Sequence, residues 1–159
     1  MIDGFNGCFH FLSNFHPSPV EMDGVVYPTV EHAYQAAKTD VPWIRERMML
    51  AKTPAEAKRM GRTFPIRDDW ERVKIDVMFG LLQKKFAAPT LRQWLKQTRC
   101  EVLVELNTWG DMFWGVVVDS EGIRRGENHL GRLLMQVRDE AWEKDGPMPQ
   151  DGCTTEDGP

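Results

Sequence analysis

The sequence predicts an α+β fold, mainly α with a small antiparallel β element. Apolar side chains recur at helical spacing along residues 69–88, and this pattern is typical of a helix with one buried face. Asp23-Gly24 separates two short apolar segments, and an Asp-Gly pair in such a place is a strong hairpin signal. Residues 101–106 alternate, and residues 112–119 are rich in Phe, Trp and Val, so we expect two further strands there.

The length of 159 residues suits one domain with a substantial core, which we place over residues 1–143. Residues 144–159 are rich in Pro, Gly, Asp and Thr, and we expect an acidic disordered tail because this composition buries too little apolar surface. The chain carries a net charge of −4, and the tail supplies −3 of it from four acids and one lysine. The nearly neutral body disfavours sequence-independent duplex binding but allows recognition of one nucleotide in a pocket.

The start of the chain lacks the basic region and apolar run of a signal peptide. No apolar run approaches the ~20 residues that a membrane span needs. Cys8, Cys100 and Cys153 are scattered and odd in number, so they suggest neither a metal site nor a disulfide framework. We therefore expect a cytoplasmic protein without a membrane partner, and the sequence predicts no particular oligomeric state.

The first predicted elements precede residue 40. Residues 5–15 hold several aromatic side chains between polar ones, so we expect an extended segment with one buried face. The hairpin should occupy residues 20–27. Thr29 can then cap a short helix, because its hydroxyl can accept a hydrogen bond from a free N–H of the first turn.

Five more helices are predicted along the rest of the chain. One opens at Pro42, and the next has the capping-box sequence Thr-Pro-Ala-Glu from Thr53, with Gly61 as its C′ residue. The helix over residues 69–88 contains Gly80, which costs about 1 kcal/mol relative to Ala and suggests close packing there. Pro89 ends it, a short helix follows, and the last helix begins at Asn128.

The helix after Thr29 carries four polar side chains on one face. Glu31, Tyr34, Gln35 and Lys38 stand at positions i, i+3, i+4 and i+7, so an acid, a phenol, an amide and an amine line about two turns. The simplest interpretation of such a stripe is a solvated face, with Glu31 favouring the helix dipole. The alternative is one wall of a site.

Two other polar clusters fall at element junctions. Residues 107–115 place Asp111 between two tryptophans, and residues 126–131 form a Gly-bearing loop that runs into a helix start, where anionic groups bind well. Simpler explanations exist for each of them. Asp111 suits a turn, Asn128 suits a helix cap, and the tryptophans suit a core.

Several of these stretches together resemble the signature blocks of the NADAR family, also called YbiA-like. They occur in the family's order between residues 5 and 138. The blocks are FLSNFHP at 11–17, an Asp-Gly pair at 23–24, YPTVEHAYQAAK at 27–38, KKF at 84–86, DMFWG at 111–115 and GENHLGRLLMQVR at 126–138. One departure is visible: Val116 and Val117 follow Gly115, where members often have a second glycine shortly after the Trp-Gly.

The resemblance implies a compact, mostly helical domain with N-glycosidase chemistry and neither a metal nor an organic cofactor. Known members cleave a ribosyl C1–N bond, either in phosphorylated early intermediates of riboflavin biosynthesis or in ADP-ribosylated guanine of nucleic acid. By matching position, it implies Glu31, Lys38 and Asp111 as the catalytic set. It also implies six substrate-binding residues: Asn14, Tyr34, Trp70, Lys85, Trp114 and Asn128.

The residue types fit this chemistry. Breaking a ribosyl C–N bond builds positive charge at C1, which a carboxylate stabilises, and negative charge on the leaving base, which an acid protonates. Lys38 could form a Schiff base with the sugar if its pKa is lowered, or it could stay charged and hold phosphate. The competing class is a module that binds ADP-ribose or a nucleotide without turnover, and such a module would not need an acid and an amine on one face.

Overall fold

The computed structural model describes residues 1–146, and the part of the predicted tail at 147–159 lies outside the described residues. The chain divides into two compact units. We call Asn6–Ala88 the helical unit. We call Met1–Phe5 together with the chain from Pro89 onward the mixed unit.

The elements confirm the predicted α+β class: the chain is mainly helical, and its strands are short. In chain order they are β1 (Ile2–Asp3), a 3-10 helix (Gly7–Leu12), β2 (Val20–Met22), β3 (Val25–Tyr27), α1 (Val30–Ala37), α2 (Pro42–Met49), α3 (Pro54–Met60), α4 (Trp70–Lys85), α5 (Pro89–Gln97), β4 (Leu103–Val104), β5 (Val117–Val118), β6 (Arg124–Arg125) and α6 (His129–Asp145).

The helical unit is built around α1. Every residue of α1 is buried, and α1 packs against α2, α3 and α4. Thr29 caps it as predicted, because its Oγ1 accepts a hydrogen bond from the backbone N–H of His32. The small residues Ala33, Ala36 and Ala37 allow this close approach of neighbouring helices. A polar stripe on α1 is therefore not a solvated face.

The predicted hairpin is confirmed. β2 and β3 pair antiparallel, with Met22 opposite Val25. Asp23 and Gly24 form the two-residue turn, with φ of 53° and 80°. Positive φ at both central residues matches the right-handed twist of the strands, which is why an Asp-Gly pair predicts this hairpin well.

The prediction of an extended segment over residues 5–15 is wrong. Gly7–Leu12 form a 3-10 helix, in which side chains three positions apart align. Cys8 and Phe11, like Phe9 and Leu12, have this spacing, and Phe11 and Leu12 are buried. Phe9 and Phe11 therefore belong to one 3-10 helix rather than to the inward face of a strand.

The mixed unit contains two short strand pairings. β1 pairs parallel with β4, a parallel contact that the sequence did not predict. β5 pairs antiparallel with β6, a strand that the sequence did not predict. The predicted strand over residues 112–119 is reduced to β5 (Val117–Val118). Residues 112–115 do not join a sheet because the carbonyls of Met112, Phe113 and Trp114 accept hydrogen bonds from residues 127–130 at the start of α6.

The end of α6 lies two residues beyond the predicted domain boundary. The helix includes Lys144 and Asp145, and the Asp145 carboxylate accepts hydrogen bonds from Arg92 at 2.6 Å and Lys96 at 3.0 Å. These ion pairs lower the pKa of Asp145, chiefly through the hydrogen bond from Lys96. Asp145 therefore belongs to the folded part of the chain rather than to a tail.

Two expectations about environment have separate outcomes. Cys100 is disulfide-bonded, which the scattered cysteines did not suggest, and Cys8 is free. Within residues 1–146, no helix is both long and apolar enough to cross a membrane. The cytoplasmic location stays a prediction.

Candidate functional site

Glu31 lies in the first turn of α1 with only 6% of its surface exposed. Its Oε1 accepts a hydrogen bond of 2.7 Å from Nε2 of Gln35, which is one turn further along the helix. Its backbone N–H donates to the carbonyl of Asn14 at 3.1 Å. A buried carboxylate that receives a side-chain hydrogen bond is fixed in one orientation, and such an acid is suited to act on a bound group.

Lys38 is the residue at which α1 ends, and its side chain is half-buried. Burial lowers the pKa of Lys38 from its usual range, the Glu31 carboxylate opposes this effect, and the cations Lys58 and Arg62 reinforce it. Lys38 therefore loses its proton more easily than a surface lysine. The position combines the burial and the nearby cations that favour an amine nucleophile.

Two aromatic rings form a contact series that begins beside the Lys38 amine. Nζ of Lys38 lies 5.4 Å from the centroid of the Tyr34 ring, within the range of a cation–π contact. The Tyr34 ring in turn packs on Trp70 with centroids 5.0 Å apart and a tilt of 57°. Both rings are nearly fully buried. The Tyr34 ring is thus a direct neighbour of the Lys38 amine, and Trp70 supports that ring.

Asn14 adjoins the start of α1 through its backbone carbonyl. Its Nδ2 lies 3.5 Å from the sulfur of Met78, a weak contact, and its buried Oδ1 has no hydrogen-bond partner among the described residues. An unsatisfied buried acceptor is costly, at about 1–3 kcal/mol, and such atoms often mark a place where a ligand or water binds. This geometry is consistent with the predicted role of Asn14 in a pocket.

Lys85 has 1% of its surface exposed, the lowest value of any lysine described here. Its Nζ donates to the carbonyl of Ser13 at 2.7 Å. Burial lowers the pKa of Lys85 to about 7. The side chain supports the turn that carries Asn14, so it has a structural task whether or not it also contacts a substrate.

In the mixed unit, Asn107 organises the loop that carries Asp111. Its Nδ2 donates to the carbonyls of Asp111 at 2.7 Å and Val116 at 3.2 Å, and its Oδ1 accepts from the N–H of Asp111 at 3.0 Å. Asn107 is buried, so these bonds are shielded from water. We call residues 107–115 the Asp111 loop.

Asp111 takes part in its own loop. Its Oδ1 accepts hydrogen bonds from the backbone N–H groups of Phe113 at 3.1 Å and Trp114 at 2.8 Å. This confirms that Asp111 is a turn residue. The ring of Trp114 packs edge-on against Phe113 and lies 6.2 Å from the ring of His129. The predicted catalytic role of Asp111 and the binding role of Trp114 stay predictions.

Asn128 does not cap α6 with its side chain, contrary to the simpler interpretation of the sequence. It has left-handed backbone angles, with φ of 53° and ψ of 39°. Its Oδ1 accepts from the N–H of Glu105 at 3.0 Å, and its Nδ2 donates to the carbonyl of Leu103 at 2.9 Å. A Cβ at Gly131 would collide with this carboxamide, so the glycine leaves room for it. Asn128 thus ties the start of α6 to β4.

The nine predicted site residues fall into two groups. The helical unit places Tyr34, Trp70 and Lys38 in one aromatic contact series, with Glu31 and Asn14 linked at the start of α1. It also contains Lys85, which bonds the carbonyl of Ser13 next to Asn14. Asp111, Trp114 and Asn128 belong to the mixed unit. No group of three or more His, Cys, Asp or Glu side chains within the described chain could hold a metal ion.

Two residues gained a role that the sequence analysis had not given them. The sequence places Gln35 on the polar face of α1 without giving it a function, and it gives no separate role to Asn107 within residues 107–115. The spacing of four residues between Glu31 and Gln35 on a helix is a signal for such a contact. Asn107 could have been singled out as an asparagine four residues before an acid, since Asn side chains bond nearby backbone groups.

Comparison with known proteins places these residues in context. The model of the NADAR domain matches residues 5–142. An N-glycosidase of Nostoc punctiforme is 39% identical over 144 residues, covering 84% of this chain and 85% of that protein. The chloroplastic riboflavin biosynthesis protein PYRR of Zea mays is 44% identical over 150 residues, covering 83% of this chain. The chain spans only 23% of the maize protein.

A solved structure is also similar. The NMR structure of the Escherichia coli protein YbiA superposes with a TM-score of 0.76 at 36% sequence identity. The superposition covers 94% of this chain and 90% of that one. The similarity therefore extends through nearly the whole of both chains.

Proposed function

Because this chain belongs to the NADAR family, we propose that it is an N-glycosidase that hydrolyses a ribosyl C1–N bond. A relative with this name, similar over most of its length, supports the activity. The observation that carries the proposal is the pair of Glu31 and Lys38 on α1. Glu31 is a buried, oriented carboxylate, and Lys38 is an amine whose pKa burial lowers. A binding module needs neither property.

Glu31 serves the cleavage by stabilising the cation that forms at C1. The C1–N bond breaks with its electron pair going to the base, which leaves after taking a proton. Water later attacks C1 of the intermediate and gives up a proton, for which a carboxylate is a suitable acceptor. A carboxylate that is already desolvated and held by Gln35 loses little free energy to reorientation as the charge develops.

Lys38 acts as a nucleophile in this proposal. Its neutral amine attacks C1, and the base departs with the bonding pair and a proton. The C1–O4′ bond then breaks, O4′ takes a proton, and the opened sugar remains as an imine on Nζ. Water then hydrolyses the imine, which frees the sugar and regenerates the amine. The lowered pKa of Lys38 supports this route because it increases the neutral fraction. The alternative is that the charged amine holds a phosphate.

The substrate we favour is a phosphorylated intermediate of riboflavin biosynthesis. The maize relative is named for that pathway, and the body of the chain is nearly neutral, which suits a small molecule better than duplex nucleic acid. ADP-ribosylated guanine is the second substrate class to test. The predicted role of Asp111 can be tested with the same substrates by Asp111→Asn.

The test is to incubate the protein separately with the riboflavin intermediates and with an ADP-ribosylated guanine oligonucleotide, and to measure released base and sugar. We expect turnover of the riboflavin intermediates. Turnover of the oligonucleotide alone would identify ADP-ribosylated guanine as the substrate. No turnover of either, with tight ADP-ribose binding by calorimetry, would replace the enzyme by a binding module.

The role of Lys38 has its own test. Borohydride added during turnover should trap the sugar on the protein, and Lys38→Arg should be inactive because arginine stays protonated. Retention of more than about a tenth of the wild-type rate, which is roughly 1.4 kcal/mol, would exclude the imine and favour phosphate binding. That outcome would leave the N-glycosidase proposal intact.

A further inference from the structure

Gly61 follows the last residue of α3, but its backbone does not require glycine. The sequence predicts a left-handed C′ residue there, whereas the structure gives φ of −61° and ψ of −13°, which any residue adopts. The usual reason for glycine at the end of a helix is therefore absent. The other reason for a glycine at this position is a lack of space, since glycine is the residue without a Cβ.

The space beside Gly61 is occupied by the side chain of Gln35. A Cβ built at Gly61 would lie 2.8 Å from Cδ of Gln35 and closer still to its Oε1. Real Cβ atoms essentially never approach another atom to less than 3.0 Å, so an alanine would force the carboxamide to move. The end of a glutamine side chain moves at low cost on a surface. Here it is 3% exposed and bonded to Glu31.

The orientation of the carboxamide is set by Glu31. Nε2 of Gln35 faces the carboxylate at 2.7 Å, and Oε1 faces Gly61 without a hydrogen-bond partner among residues 1–146. Rotating the amide by half a turn would bring its oxygen against a carboxylate oxygen. Oε1 of Gln35 is thus left without a donor, while Nε2 bonds the Glu31 carboxylate. This orientation is favoured because a hydrogen bond to a charged group is stronger than one between neutral groups.

We propose that Gln35 is a positioning residue that holds the Glu31 carboxylate in its reactive orientation, and that Gly61 is required to leave room for it. The inference rests on the proposed N-glycosidase function. It gives Gly61, at the C-terminal end of α3, a role in positioning the Glu31 side chain of α1. Gln35 acts through Glu31 and is not itself a candidate nucleophile or acid.

Gly80 supplies a matched control. It lies inside α4, and a Cβ built there meets no atom within 4 Å, so the suggestion of close packing at Gly80 is not supported. Gly80→Ala should leave kcat and KM unchanged and raise the melting temperature, because alanine is the better helix former. Gly61→Ala should lower kcat about tenfold or more, with KM within about threefold of wild type, since it disturbs an interaction that acts in the transition state.

The pairing of Gln35 with Gly61 is tested by a double-mutant cycle. Gln35→Ala should lower kcat as Gly61→Ala does. The double variant should match Gln35→Ala alone, because the Cβ at position 61 then no longer meets a glutamine side chain. Two results would overturn the inference: a kcat for Gly61→Ala within twofold of Gly80→Ala, or a double variant that loses the product of the two single losses.

If Gly61→Ala does not fold, Gln35→Met decides the question, because it keeps the length of the side chain and removes the donor. A loss of kcat with KM retained supports the inference, and an unchanged kcat overturns it. Wild-type protein is assayed alongside on the same substrate. Absence of wild-type turnover would contradict the proposed function, whereas turnover that is insensitive to Gln35 and Gly61 would contradict only this inference.

Discussion

α1 and the Asp111 loop hold their acids in different ways. Glu31 lies on a helix that is buried along its whole length, and its carboxylate receives a hydrogen bond from a side chain one turn away. Asp111 lies on a loop, half-exposed, and its carboxylate accepts two backbone N–H groups of that loop. The helix therefore positions an acid by burial and periodicity, and the loop positions one by polar bonds to its own backbone.

The difference indicates where each region is vulnerable. α1 is supported by apolar packing on several sides, so the loss of one polar contact removes a small part of its support. The Asp111 loop depends on a few hydrogen bonds from one buried asparagine. A single substitution at Asn107 should loosen the segment around Asp111, since the backbone N–H and carbonyl of Asp111 would lose their partner together.

Asn107→Ala should have the largest effect on stability. It removes three hydrogen bonds and leaves the partly buried N–H and carbonyl of Asp111 without this partner, so we expect a loss of about 3 kcal/mol in the free energy of unfolding. Urea unfolding measures it, with the exposed neighbour Thr108→Ala as a control that should change little. A loss below about 1 kcal/mol would show that the loop is held by something other than Asn107.

The next largest expected effect is a dependence of the free energy of unfolding on pH, which comes from Lys85. Its pKa is about 7 in the folded protein against 10.5 as a free side chain, so the folded state disfavours the charged form. The unfolded chain binds more protons between these values, and the free energy of unfolding should rise with pH, by about 2 kcal/mol from pH 7 to pH 9. Below pH 7 the full burial penalty is present.

Urea unfolding at pH 7, 8 and 9 tests this dependence. Lys85→Met should abolish the rise, because methionine keeps much of the side-chain volume without a titrating group. The adjacent Lys84→Met, at an exposed lysine, should retain the rise seen in the wild type. An equal rise in Lys85→Met and wild type would mean that another group titrates in this range.

Thr29→Ala should have the smallest of these effects. It removes the cap of α1 and the hydrogen bond between Thr29 Oγ1 and Nδ1 of His32, and we expect a loss of about 1–2 kcal/mol. Thr29→Ser keeps the hydroxyl and should lie close to wild type. If Thr29→Ala instead costs as much as Asn107→Ala, the proposed contrast between a packed helix and a loop held by polar bonds fails.

The same contrast explains what the sequence could predict. The hairpin at Asp23-Gly24 and the Thr29 cap depend on residues within three positions of each other, so their signals are local and both predictions are confirmed. The polar face of α1 follows from helical spacing alone. That the face is buried does not, because burial depends on the helices that cover α1.

The mixed unit was harder to predict because its contacts are distant in sequence. Asn128 bonds backbone groups of Glu105 and Leu103, more than twenty residues earlier, whereas its local signal indicated a helix cap. The strand predicted over residues 112–119 failed for the same reason, since its carbonyls bond the start of α6. Gly61 shows a local and a distant effect together. The sequence near it indicates a C′ residue, but the need for glycine comes from the side chain of Gln35, which leaves no room for a Cβ.

The central claim is that Glu31 on α1 carries out N-ribosidic cleavage, and Glu31→Gln tests it most directly. Released base should be measured under saturating substrate for wild type and variant, with substrate affinity measured in parallel by calorimetry. We expect kcat to fall by at least about a thousandfold, or roughly 4 kcal/mol, with the Kd changed less than about threefold. A kcat for Glu31→Gln within tenfold of wild type would contradict the account.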